Sequence, residues 1–151
     1  MTEVDAQPLR FPQHLVTIGS DALRAMAGST RSLKLAVVLS DDGFEVARAP
    51  WSPVRDGRFA SMASSAQALG EALVHELSLG SGDAMIVQAS GGAMIQMRVP
   101  GNPFVIAAHF GEGESLGTAL AAVRITAQSL ATALAHASTG IDPAPTERGT
   151  T

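Results

Sequence analysis

Residues 103–110, PFVIAAHF, alternate as a strand does, and both alternating sets are apolar: Val105 and Ala107 on one side, Phe104, Ile106 and Phe110 on the other. A strand that is greasy on both faces belongs mid-sheet, with helices covering each side. An α/β layered fold is therefore the expectation, and the rest of the chain is read around this segment.

The order of elements reads helix, hairpin, helix, three-strand meander, helix. Pro12 suits the first turn of the first helix; Leu15, Ile18, Ala22 and Met26 lie along one face of it, and Gly28 marks a stop. In SLKLAVVLS (32–40), Leu33, Leu35, Val37 and Leu39 alternate as a strand requires. FEVAR (44–48) is a second, short strand whose Glu45 and Arg48 suit a sheet edge. Residues 58–79 are helical in pattern, with Met62, Ala66, Leu69, Leu73 and Leu77 as the apolar stripe that covers the sheet. Three strands follow at 83–90, 93–99 and 103–110, joined by turns at Gly91-Gly92 and Pro100-Gly101-Asn102. The last helix starts near Ser115, a good N-cap, and Leu116, Leu120, Val123, Ala127, Leu130 and Leu134 define its buried face. Residues 1–10 and 139–151 are polar and rich in Pro, Thr and Gly, which predicts disordered tails around a single domain at 11–138.

Edges decide what such a sheet does next. The long connection through the second helix can carry the chain from the FEVAR edge to the opposite one, where DAMIVQAS (83–90) then lies. That segment is nearly all apolar, with no Lys, Pro or inward charge to guard its backbone groups, and an unguarded edge invites pairing with another chain. The simplest partner is a second copy. The small residues Ala60, Ala63, Ser64, Gln67 and Gly70 would let a partner's equivalent helix approach closely; an alanine-rich helix from a GC-rich gene is an equally good reading of them.

Motifs for chemistry are weak. Asp41-Asp42-Gly43 joins two strands, where a tight turn needs Asp and Gly to reach positive φ; neighbouring strand side chains point to opposite faces, so the pair is poorly placed to share a proton or a metal. GEGESLG (111–117) sits where a dinucleotide loop would, but its spacing is wrong, Glu112 and Glu114 would repel a pyrophosphate, and no further strand completes a βαβ unit. His75-Glu76 opens like a zinc-protease helix, yet the fifth position is Leu79; His14, His109 and His136 are isolated. There is no GxSxG elbow around Ser61, Ser64 or Ser65 and no Walker-type loop, and Arg55 and Arg58 read as solvated loop arginines. The net charge of −4 leaves no electrostatic footprint for nucleic acid or an anionic membrane. Mean hydropathy is high, +0.20, but no apolar run approaches the roughly 18 residues that span a bilayer. No cysteine is present and the N-terminus is acidic and polar rather than signal-like, so a cytoplasmic location is expected. Catalytic residues, cofactors and metals are all expected to be none.

Four strings in order, LAVVLSDDGFEVAR, FASMASSAQALGEALVHELSLG, MIVQASGGAMIQMRV and GEGESLGTALAAVRITAQSLA, resemble the roadblock/LC7 family over roughly residues 13–136. The resemblance implies a five-stranded antiparallel sheet of order 2-1-5-4-3, with one helix on one face and two on the other. It also implies a dimer through the third strand and second helix, here residues 83–90 and 59–77. The interface would then hold Ala60, Ala63, Ser64, Gln67 and Gly70 of the helix with Asp83, Met85, Ile86, Val87 and Gln88 of the strand. Such proteins resemble non-enzymatic scaffolds and regulators of Ras-like small GTPases. Gly19-Ser20-Asp21 departs from the family pattern and is expected to interrupt the first helix. The main rival is a small-molecule sensor, which needs a cavity with convergent polar groups; the inward residues Val37, Leu39, Val105 and Ala107 offer none. A third reading is an enzyme using Asp41, Asp42 or His109.

Overall fold

The computed structural model describes residues 10–51 and 57–139. The expected tails, apart from residues 10 and 139, lie outside the described residues, as does Arg55. The elements are α1 (Gln13–Ser29), β1 (Leu33–Ser40), β2 (Glu45–Ala49), α2 (Arg58–Glu76), β3 (Met85–Ala89), β4 (Gly92–Arg98), β5 (Phe104–Phe110) and α3 (Leu116–Thr139). The strands form one antiparallel sheet in the order β2-β1-β5-β4-β3. The doubly apolar strand β5 is central, and Val105, Ile106, Ala107, Ala108 and Phe110 are all buried.

Alternation on β1 and β5 divides the core in two. Val38, Ile106, Ala108 and Phe110 join Leu23 and Met26 of α1 and Val123, Ala127 and Leu130 of α3 in the larger cluster. Val37, Leu39 and Ala107 face the other way and meet only Ala60 and Ala63 of α2 among buried residues. Full burial of each Val, Leu, Ile, Phe or Met is worth about 1.5–3 kcal/mol, so most of the folding energy lies on the α1–α3 side.

Two glycines act through the absence of a side chain. Helix α1 runs unbroken through Gly19-Ser20-Asp21, contrary to the expected interruption. Gly19 is buried there because a Cβ would lie 3.0 Å from that of Ala47, which lets the helix rest on β2. Gly92 opens β4 at φ +143°, where any side chain would collide with the Phe110 carbonyl. Ser115 caps α3 as expected, its Oγ accepting from the Thr118 amide at 3.1 Å. The carboxylate of Glu114 accepts from the amides of Arg31 and Ser32, so the glycine loop it belongs to serves as a clasp on the α1–β1 connection.

Helix α3 corrects one expectation: by length and composition it is apolar enough to cross a membrane. In this fold its Ala119, Val123, Thr126, Ala127, Leu130 and Leu134 are buried in the domain. The two sheet edges differ. On β2, Arg48 Nε donates to Glu45 Oε1 at 2.8 Å with both side chains largely buried, and the register with β1 slips between Val38 and Leu39. Strand β3 has neither device among its five residues. It is shorter than expected, and Asp83 lies outside it, paired with Arg124 of α3 at 2.6 Å.

Candidate interaction surface

Strand register lays out the floor beneath α2. One row across the sheet is Leu35, His109, Met94 and Val87; the next is Val37, Ala107, Gln96 and Met85; a third is Leu39, Val105 and Arg98. Helix α2 crosses the second row from β1 towards β3. Ala60 and Ala63 pack over Val37 and Ala107, Gln67 bonds to Gln96, and the Met85 methyl occupies the space a side chain at Gly70 would need.

One flank of the helix is fixed to the β1–β2 hairpin. Ser64 sits against Gly43, and Glu71 is tied through Arg98 to Asp41. At 3.6 residues per turn, Met62, Leu69 and Leu73 fall on the opposite flank, which overlooks the row Leu35–His109–Met94–Val87. That flank is bare: Met62 is 71%, Leu69 63% and Leu73 50% exposed, with Val87 at 54% on the sheet edge beyond them.

The expected stripe on this helix is therefore inverted. Met62, Leu69, Leu73 and Leu77, expected to cover the sheet, point to solvent. Ala60, Ala63, Gln67 and Gly70, expected to meet a partner, seat the helix on its own sheet, and Ser64 packs on the hairpin. The physical reason is distance. Only small side chains and a glycine let a helix backbone settle this close to the strands. The spacing 60, 63, 67, 70, 74 is itself a helical stripe, and it is the signal that identifies the inner face. Of the strand positions, Ile86, Val87 and Gln88 are exposed and Met85 is half-buried beneath α2.

A polar chain runs under and out from α2. Gln96 is wholly buried, and its Nε2 donates to the Ala63 carbonyl at 3.0 Å and to Gln67 Oε1 at 2.8 Å. Gln67 Nε2 donates to Glu71 Oε1 at 3.0 Å. Arg98 reaches the same oxygen through Nε and Nη2 at 3.0 and 2.6 Å, and Asp41 through Nη1 at 2.7 Å. The Gln67 carboxamide, then the Arg98 guanidinium, hold Glu71 below the usual carboxylate range. Asp41 and Glu71 raise Arg98 above its ordinary value.

The adjacent aspartates diverge. Asp41 takes Arg98, whereas Asp42 accepts from Ser40 Oγ at 2.5 Å inside a turn that needs Gly43 at φ +85°. That is the expected turn. His14, His75, His109 and His136 are exposed and separate, and no group of three or more metal-ligating side chains occurs among the described residues.

Compared with family models and with curated proteins, the chain finds no match. Solved structures do match. The gliding protein MglB from Thermus thermophilus superposes with a TM-score of 0.69 at 18% identity, over 85% of this chain and 97% of that one. A Roadblock/LC7 domain from Streptomyces avermitilis gives 0.67 at 17%, over 74% and 93%. The chain has the roadblock/LC7 fold. An MglB in a tetrameric arrangement gives a TM-score of 0.63 at 19% identity, over 89% of this chain and 99% of that one. At such identities the likeness is one of fold. Within that roadblock/LC7 frame, the bare flank of α2 and the edge strand β3 lie side by side.

Proposed function

We propose that this chain is a non-enzymatic, cytoplasmic homodimer that scaffolds or regulates a Ras-like small GTPase or the signalling complex around one. The observation that carries the dimer is the run of large apolar side chains, Met62, Leu69 and Leu73, standing exposed beside an unguarded strand edge with Val87 on it. Water-exposed side chains of that size on one flank are a liability in a lone subunit and an asset in an interface. A second copy related by a two-fold axis brings the same flank and the same edge, so helix meets helix while strand meets strand. The interface we propose therefore shifts from Ala60, Ala63, Ser64, Gln67 and Gly70 to the opposite flank, and it keeps Ile86, Val87 and Gln88. The GTPase rests on the sequence resemblance together with the fold. A two-fold platform biases a switch protein only by binding one of its states better than the other.

Sedimentation at micromolar concentration tests the foundation. The native chain runs as a dimer, and Leu69→Arg with Leu73→Arg runs as a folded monomer; a native monomer removes the platform. Capture from lysate loaded with GTP or GDP tests the partner. A Ras-like protein retained in one nucleotide state supports the reading, and equal or no retention in both counts against it.

A further inference from the structure

Beneath the C-terminal half of α2 lies a groove of about 500 Å³, bounded by Gly70 and Val74 above, Ala84 just before β3 and Met85 at its start, and Gln96 and Arg98 of β4. That size is within the range of small-molecule sites. The groove lies on the underside of the helix, at the opposite end from the Val37–Leu39–Ala107 cluster, whose apolar side chains offer a ligand no polar group.

Two observations give it chemistry. Gln96 is wholly buried, and both hydrogen bonds of its Nε2 go to acceptors, which fixes the amide orientation and leaves Oε1 without a donor. A buried acceptor left unmade is unfavourable and rare in native proteins. The second observation is charge. The carboxylates at the mouth already have partners, Glu71 with Arg98 and Asp83 with Arg124. With charge matched pairwise at the mouth, the groove favours neither sign of ligand charge, and a neutral ligand leaves both pairs intact. Val74, Ala84 and Met85 supply an apolar wall. Met85 is the cross-strand neighbour of Gln96 on the same sheet face, and its flexible thioether tip fills the space beneath Gly70.

We infer that this groove binds a neutral, mainly aliphatic molecule carrying an amide N–H, with the N–H donated to Gln96 Oε1 and the aliphatic part against Val74 and Ala84 after the Met85 tip swings aside. The site would make α2 the element a ligand adjusts, because only its N-terminal half is anchored in the core through Ala60 and Ala63.

The test is titration of the full-length, ¹⁵N-labelled chain with hexanamide, with methyl pentanoate as a match lacking the N–H, and with hexanoate. Hexanamide is expected to shift the backbone amides of Gly70, Val74, Ala84 and Met85 and to bind about tenfold tighter than the ester, one hydrogen bond's worth. Hexanoate is expected to bind no better than the ester. Gln96→Met should erase the amide preference, and Val74→Trp, which fills the groove without touching the polar chain, should abolish binding of both. Equal binding of amide and ester, shifts confined to the Met62 flank, or an undiminished response in Val74→Trp would overturn the site. Should Gln96→Met fail to fold, the amide–ester comparison and Val74→Trp still decide. Sedimentation of the same samples reports self-association separately, so a monomeric chain that still binds hexanamide loses the dimer and keeps the groove.

Discussion

At the residue scale, the positions that matter most are those where a side chain is missing or already committed. Gly19 has no room towards Ala47, where a Cβ would lie 3.0 Å away. Gly19→Val should destabilise the domain by about 1–3 kcal/mol through overpacking, read as a lowered urea midpoint. That is a cost sequence alone concealed, because a glycine inside a helix reads there as a break. Glu71 makes the second residue-scale prediction. Its carboxyl is held low by Gln67 and Arg98, so its stabilising share is present above its unfolded pKa near 4.5 and is lost as pH falls through the lower folded value. The urea midpoint should therefore drop more steeply below about pH 4.5 in the native chain than in Glu71→Gln. With the pair half-exposed, the difference should stay under about 1 kcal/mol. Arg98 is shifted upwards from an already high value, so its own titration lies above the working range and adds no slope there.

At the scale of the element, α2 is the one helix whose inner and outer faces defeat a hydrophobicity rule. For α1 and α3 the periodic large residues do face the core, and their buried sides were legible in Leu15, Ile18, Met26, Val123, Leu130 and Leu134. On α2 the larger residues face out and Ala60 and Ala63 face in, because the sheet beneath carries Val37 and Leu39 close to the helix backbone. Periodicity located this helix correctly, but two stripes competed for the inside, and side-chain size chose the wrong one. A pair of substitutions separates the faces. Ala63→Leu should lower monomer stability by about 1–3 kcal/mol, whereas Met62→Lys should leave it within about 0.5 kcal/mol, both read by denaturation of dilute protein.

At the scale of the whole molecule, the layering and the edges were readable because each strand states its surroundings. β5 is apolar on both sides and central, β2 carries an ion pair at one border, and β3 carries none at the other. The order β2-β1-β5-β4-β3 agrees with what the resemblance implied. The groove under α2 was not readable, since it depends on Gln96 of β4 meeting Gln67 of a helix 29 positions away. Self-association makes a prediction at this scale as well. Amide hydrogen exchange across Met85–Ala89 should slow as protein concentration rises, while exchange in β2 stays constant; concentration-independent exchange in β3 would mean that the edge remains unpaired.

The contrast between the two borders of the sheet sets a limit on growth. A ribbon sticky along both margins would add copies without end and become a fibre. With the Glu45–Arg48 margin ion-paired and the Met85–Ala89 margin open, the proposed union of two copies would use up the one unguarded strand edge among the described residues, and accretion would halt at a pair.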